Sequence, residues 1–303
     1  MSEKAATIWS ATPTPFLENG ELDVVGLERM IKQHLALGVT GLLLGGSCGE
    51  GAWMPTAQRA ELVRETVRLA NGRLFVAAQV SDTSAPRVRD NIGDAEQAGV
   101  DGVFVAAPVV ERFITREFCR RYFLESIEAA NVAVGIYIMP PAPGSPMDEA
   151  LWLEIASHPA VTLVKNSSRS ETLRSGLAQI RKNREDLLLL TGDEFDVIGN
   201  VTAGFDGGLL GTGILNGRMI RKAVDELQSG NMSAAGSWQK RSSAFLEDLF
   251  RPDLSIWLGG LKYALKQLEL FNTEKALLDY PITDEDRKRI DAALEREKEL
   301  VSR

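Results

Sequence analysis

The chain has 303 residues, 44% hydrophobic and 25% charged, which excludes a mainly disordered state and suits a globular protein that buries its core without staples. Its net charge of −8, from 34 basic and 42 acidic residues, has the wrong sign for a general nucleic-acid binder, and no run of about 18 apolar residues offers a membrane span. Two cysteines (Cys48, Cys119) and two histidines (His34, His158) are too few for a disulfide scaffold, a zinc site or triad chemistry.

In chain order, short apolar runs alternate with longer amphipathic ones. Thr7, Ile8 and Trp9 predict a first strand, followed by the turn-rich segment 11–15. Leu27, Met30, Ile31, His34 and Leu35 fall at helical spacing within 22–37, and Gly38 closes that helix. Strand two is predicted at 42–44, ending in Gly45 and Gly46, with a helix at 56–70. Strand three is expected at 74–80 and its helix at 85–98; strand four at 103–105 and its helix at about 116–130. The same unit recurs as strand 132–137 with helix 148–157, and as strand 161–164 with helix 170–181. It ends with strand 187–190 and helix 194–203, then strand 208–210 and helix 217–229. The remaining 232–303 carry no strand pattern, only helices at 234–250, 256–270 and 283–302, the last opened by a Thr283/Asp286 capping box.

The tetrads 38–41, 99–102 and 204–207 look alike, and each closes a helix and opens a strand. Strands that are apolar throughout signal a parallel sheet buried on both faces. Eight strand–helix units in about 225 residues predict an α/β protein, a (β/α)8 TIM barrel over 1–231 with a C-terminal helical domain over 232–303. A doubly wound sheet is the alternative, but no G-x-G-x-x-G follows the first strand.

A barrel confines chemistry to the C-terminal ends of its strands. Lys165 stands at the end of strand six, where it would point into a partly desolvated cavity and could attack a carbonyl carbon. A lysine reaching out to solvent is the bland reading of the same position. Tyr137 ends the neighbouring strand, about 5 Å away, close enough to relay protons for a substrate held by the lysine. Without that lysine it would read as a cap on the barrel mouth. The glycine-rich loop 45–51 offers backbone N–H groups and the Ser47 hydroxyl to a carboxylate or phosphate; a tight βα turn is its structural reading. Glu50 is expected to hydrogen-bond locally rather than to act as a base, and Cys48 has no histidine near it in sequence to activate it. His34 and His158 fall away from the strand ends and are expected to be structural.

Taken together, Gly46-Ser47-Cys48-Gly49-Glu50, Tyr137-Ile138-Met139-Pro140 and Val164-Lys165-Asn166-Ser167 resemble the dihydrodipicolinate synthase / N-acetylneuraminate lyase family. Gly192-Asp193-Glu194 and 204–207 add to the likeness, which covers nearly the whole chain. The resemblance implies that Lys165 forms an imine with pyruvate or another 2-oxo acid, that Tyr137 shuttles protons, and that Ser47 and Cys48 hold the carboxylate. It further implies that Ser167 meets a substrate hydroxyl, that Leu209 belongs to the substrate pocket, that no metal or organic cofactor is needed, and that the protein is a homotetramer. The short polar segment 1–6 carries no apolar signal core, so the cytoplasm is the expected location.

The departures from the family pattern concern the second substrate. Cys48 replaces a threonine, Ile138 an asparagine and Asn166 an acid. The loop 107–110 has no tyrosine, and Ala142 stands where the dihydrodipicolinate synthases carry an arginine for a second carboxylate. Val109, Val110, Ile138, Met139 and Leu210 would make the outer pocket apolar, although Arg112 or Arg169 could fold in and restore a positive charge. The expected reaction is therefore lyase or aldolase chemistry on a 2-keto-3-deoxy acid. Dehydration of such an acid, true dihydrodipicolinate synthesis, and non-catalytic binding of a 2-oxo acid are the alternatives.

Overall fold

The computed structural model describes residues 6–108, 114–140 and 144–302. Val109, Val110, Arg112 and Ala142 lie outside the described residues.

Eight parallel strands close into a barrel in sequence order, with the last hydrogen-bonded to the first. They are β1 (Thr7–Ala11), β2 (Gly41–Leu44), β3 (Phe75–Gln79), β4 (Gly102–Ala106), β5 (Ala133–Ile138), β6 (Val161–Asn166), β7 (Leu188–Thr191) and β8 (Gly207–Leu210). Between them run α1 (Val24–Ala36), α2 (Thr56–Ala70), α3 (Ala85–Ala98), α4 (Arg116–Ile127), α5 (Glu149–Ala156), α6 (Glu171–Lys182) and α7 (Val197–Thr202). Then follow α8 (Gly213–Gln228), α9 (Met232–Phe250), α10 (Trp257–Gln267), α11 (Asp284–Arg296) and α12 (Lys298–Val301). The protein is thus a TIM barrel with C-terminal helices. No helix among the described residues is long and apolar enough to cross a membrane.

The alternation of strand side chains separates two apolar clusters. Trp9, Leu43, Phe104, Tyr137, Leu163, Leu190 and Leu209 fill the barrel interior. The second cluster lies between strands and helices and continues into the C-terminal helices through Phe245, Leu249, Leu261 and Ile290. Large interior rings are accommodated by glycines on the next strand: a Cβ on Gly135 would sit 2.6 Å from the Phe104 ring. The glycines that open the three repeated tetrads, Gly38, Gly99 and Gly204, all adopt positive φ (75°, 87° and 109°), as the short helix-to-strand turn requires.

The main differences from the sequence expectation lie in four elements. Strand six runs on to Asn166, so Lys165 lies within a paired strand, in register with Tyr137 on one side and Leu190 on the other. Helix seven starts only at Val197, because Asp196 caps it by accepting from the Gly199 N–H at 3.1 Å; residues 192–195 are thereby released as a loop. Helix eight starts a turn early, at Gly213. The last helix breaks at Glu297, whose buried carboxylate takes Arg241 at 2.8 Å and Arg296 at 3.1 Å. The Thr283/Asp286 capping box is present, and Arg251 and Arg289 add ion pairs to Asp286 at 2.7 Å and 2.6 Å.

Candidate active site

Lys165 is 5% exposed, and its Nζ lies 4.1 Å from the centroid of the Tyr137 ring. The barrel register places the two residues side by side, so the contact follows from strand pairing rather than from a loop. A cation against a ring face is attracted by the ring quadrupole, which positions the side chain; the lone pair needed for attack appears only when the ammonium gives up its proton. Ser167 leaves the end of β6 with its N–H donating to the Ile138 carbonyl at 2.8 Å. Gly192, just beyond β7, lets both side chains pass: a Cβ there would lie 2.8 Å from Lys165 Cε and would overlap the Ser167 hydroxyl. Asn166 turns back on its own loop and accepts from Ser168 N at 3.1 Å and Oγ at 2.8 Å.

The loop after β2 folds tightly on itself. A Cβ on Gly49 would come within 2.8 Å of Gly45 N and 2.9 Å of Thr12 O, so this glycine permits backbone to approach backbone. The Thr14 hydroxyl donates to the Gly49 carbonyl at 2.7 Å. Glu50 then adopts φ 58°, a left-handed conformation that costs a non-glycine residue about 1 kcal/mol or more. Its carboxylate is fully buried, paired with Lys262 of α10 at 2.8 Å, and accepts the Leu277 N–H at 2.5 Å. Ser47 and Cys48, half-buried, stand at the tip of this braced loop. Burial pushes the Cys48 thiol up to about 12 against the opposing pull of the Lys165 charge, so the sulfur stays protonated at neutral pH.

A carboxyl group that sequence reasoning did not single out as a site residue completes the site. Glu194, in the loop released ahead of α7, accepts from the Thr212 N–H at 3.2 Å and from the Thr212 hydroxyl at the start of α8. Burial raises it to about 7, while the Lys165 charge and the N–H groups of Gly211 and Thr212 pull the other way. Glu194 and Cys48 close on the same point: a Cβ on Gly211 would sit 3.0 Å from Glu194 Oε1 and 2.7 Å from Cys48 Sγ. These groups border a cavity of about 160 Å3 that extends outward to α9 and α10.

The structure therefore brings Lys165, Tyr137 and Ser167 together, and sets Cys48 across from them beside Glu194. Leu209 is fully buried in the interior cluster beneath. Arg169 lines the cavity as well, 58% exposed and 3.4 Å from Asp193. His34 is fully buried and hydrogen-bonds the Met30 carbonyl through Nδ1 at 2.9 Å. Among the described residues no group of three or more His, Cys, Asp or Glu side chains is arranged to hold a metal ion. Lys262 had a legible signal, since it shares the helical spacing of Leu258, Leu261 and Leu265 and so falls on an apolar face. Glu194 had its place after a strand and in the Gly192-Asp193-Glu194 segment of the family likeness.

The chain is similar to known proteins along nearly its whole length. The chain is 24% identical over 285 residues to the N-acetylneuraminate lyase of Citrobacter koseri, covering 94% of each chain, and equally so to that of Salmonella typhimurium. It superposes with a TM-score of 0.85 on the dihydrodipicolinate synthase of Bacteroides thetaiotaomicron, at 26% identity and with 98% and 100% of the two chains covered. A prophage protein of the dihydrodipicolinic acid synthase family from E. coli K12, in complex with pyruvate, superposes with a TM-score of 0.86 at 20% identity, covering 97% and 98%. Residues 4–297 match the family described as the dihydrodipicolinate synthetase family. That span runs from ahead of β1 to the end of α11, and the chain belongs to this family.

Proposed function

We propose that the chain is a class I, Schiff-base lyase that cleaves a 2-keto-3-deoxy acid to pyruvate and an aldehyde, or runs the same reaction in reverse. One observation carries the reading: a buried lysine on an inner barrel strand, held against the face of an in-register tyrosine at the catalytic end. The neutral Lys165 amine adds to C2 of the 2-oxo acid, and the carbinolamine loses water to leave a protonated imine. The imine accepts the electron pair of the C3–C4 bond as that bond breaks, while the C4 hydroxyl gives up its proton and becomes the aldehyde. Protonation of the resulting enamine at C3 and hydrolysis of the imine release pyruvate and restore the amine.

Ser47, Cys48 and their N–H groups hold the substrate carboxylate, Ser167 meets a hydroxyl, and Leu209 contributes to the floor. Tyr137 carries protons to and from the carbinolamine and the leaving hydroxyl. We assign the chain a homotetrameric state, a cytoplasmic setting, no metal or organic cofactor, and a division into a barrel of 1–231 and a helical part of 232–303. Incubation with pyruvate and borohydride tests the reading: it should add a reduced pyruvyl group to Lys165 and to no other lysine. A protein left unmodified would overturn it.

Glu194 supports a second reading, dehydration through the same imine. A carboxyl that titrates near 7 can protonate a leaving C4 hydroxide as the enamine pair forms the C3–C4 double bond. Product analysis with a 2-keto-3-deoxy acid separates the two: cleavage releases pyruvate and an aldehyde, whereas dehydration gives an unsaturated 2-oxo acid with the carbon chain intact.

A further inference from the structure

The cavity lined by Gly192, the glycine beside Lys165 Cε, has two unlike halves. Towards the strand ends it is polar, bordered by Cys48, Glu194 and Thr212. The outer half is a wall of Phe195, Leu246, Phe250, Leu254, Trp257 and Leu261. The last five come from α9, α10 and the bend between them, far from the strand-end motifs in sequence. Five of the six side chains have no polar atom, and Trp257 has only its indole N–H. Among the described residues Arg169 is the one cation lining this cavity, more than half exposed, with its charge answered by Asp193 at 3.4 Å and its guanidinium 5.7 Å over the Phe195 ring.

These surroundings discriminate among possible tails. Among the described residues, a carboxylate on the outer fragment would lose water beside Glu194 without gaining an unpaired cation. A polyhydroxyl tail would leave its hydroxyls unpaired against the apolar wall. An aryl or branched alkyl group loses nothing, and a cavity of about 160 Å3 matches the roughly 150 Å3 of an apolar protein cavity that admits benzene.

Building on the Schiff-base reading of Lys165, we propose that the aldehyde partner is uncharged and apolar, an aryl or branched alkyl aldehyde. Its carbonyl oxygen, which becomes the C4 hydroxyl of the adduct, lies on the Glu194 and Thr212 side, and its apolar group rests on the wall from Phe195 to Leu261. In the forward condensation, enamine C3 forms a bond to the aldehyde carbon, the carbonyl pair moves to oxygen, and that oxygen takes a proton. No oxidant or reductant enters.

The test measures adduct formation by the full-length protein from pyruvate with benzaldehyde, glyceraldehyde and succinic semialdehyde in parallel, with borohydride trapping by pyruvate alone as a separate measurement. We expect kcat/KM for benzaldehyde at least tenfold above glyceraldehyde and a hundredfold above the semialdehyde. Trp257→Ala should lower the benzaldehyde value at least tenfold and the value for acetaldehyde less than threefold. Leu254→Arg should move the benzaldehyde-to-semialdehyde ratio at least tenfold towards the semialdehyde. If trapping succeeds but glyceraldehyde or the semialdehyde is preferred, or no aldehyde condenses, the apolar partner is refuted while the imine stands. Ratios left unmoved by both variants refute the wall in the same way. Failure of trapping itself refutes both readings.

Discussion

Oε1 of Glu50 lies 2.8 Å from Nζ of Lys262, and neither side chain is exposed. Lys262 also donates to the Thr14 carbonyl at 2.5 Å and the Lys275 carbonyl at 3.2 Å, and rests 4.5 Å over the Phe16 ring. One ammonium thus ties α10 to the loop after β1, to the loop after β2 and to the segment around 275. Burial pulls Lys262 below the usual lysine range, and the facing carboxylate opposes that pull. A buried pair of this kind contributes little net stability when intact but is costly to halve.

Lys262→Met is therefore expected to destabilise the protein by about 3–5 kcal/mol, because it leaves the Glu50 carboxylate buried and unpaired. The double variant Lys262→Met/Glu50→Gln should recover much of that loss. Urea unfolding of the two variants checks this, and equal stability of single and double variants would contradict it. Because Glu50 closes the loop that carries Ser47 and Cys48, the Michaelis constant for pyruvate should rise in the single variant.

Lys165→Ala should abolish both turnover and the borohydride adduct. Tyr137→Phe should keep the ring under the ammonium and remove only the hydroxyl. A fall in kcat of about 10²–10⁴-fold with trapping still detectable is expected for lost proton transfer. A loss below about threefold would remove Tyr137 from that role.

Gly192→Ala tests the crowding beside the lysine. Its methyl would displace Lys165 Cε and the Ser167 hydroxyl. We expect kcat to fall at least about tenfold, as small displacements of reacting groups typically cost that much or more. The thermal midpoint should shift little, since Gly192 is half-buried at the mouth of the barrel.

Half-buried Glu194 and fully buried His34 give the stability opposite pH slopes. Glu194 keeps in the native state a proton that the unfolded chain releases above 4.5, so its contribution is full below 4.5 and is lost as the pH rises through about 7. His34 is lowered to about 4 by burial, so its contribution is full above 6.5 and is lost as the pH falls through 4. Each is worth on the order of 3 kcal/mol over its window, and between 4.5 and 6.5 they oppose each other. Glu194→Gln should yield stability that climbs with pH across this range, and His34→Gln stability that declines. Denaturant midpoints at half-unit pH intervals check both, and parallel curves for the two variants would contradict the assignment.

Cys48 should react slowly with iodoacetamide at pH 8, because a thiol pushed to about 12 supplies little thiolate. Mass spectrometry of the alkylated protein reads this directly. Labelling as fast as that of a free cysteine would show the sulfur to be activated.

The barrel was legible in the sequence because its determinants are local. Apolar runs such as Leu42 to Leu44, helical spacing as at Leu27, Met30 and Ile31, and the glycines of the three tetrads specify strand, helix and turn within a few residues. The count of such units and the rule that chemistry sits at the strand ends were then enough to single out Lys165 and Tyr137, whose contact is a matter of strand register. Elements were misjudged where a side chain decided the boundary: Asp196 shortened α7, and Glu297 broke the last helix. The tertiary structure alone decided the Glu50–Lys262 pair, 212 residues apart in number, and the wall that α9 and α10 lay over the cavity. It also decided the environment of Glu194, because a pKa is set by burial and by charges that chain order does not bring near. Sequence periodicity fixes which face of a helix is apolar, but only the packing of the whole chain fixes what that face meets.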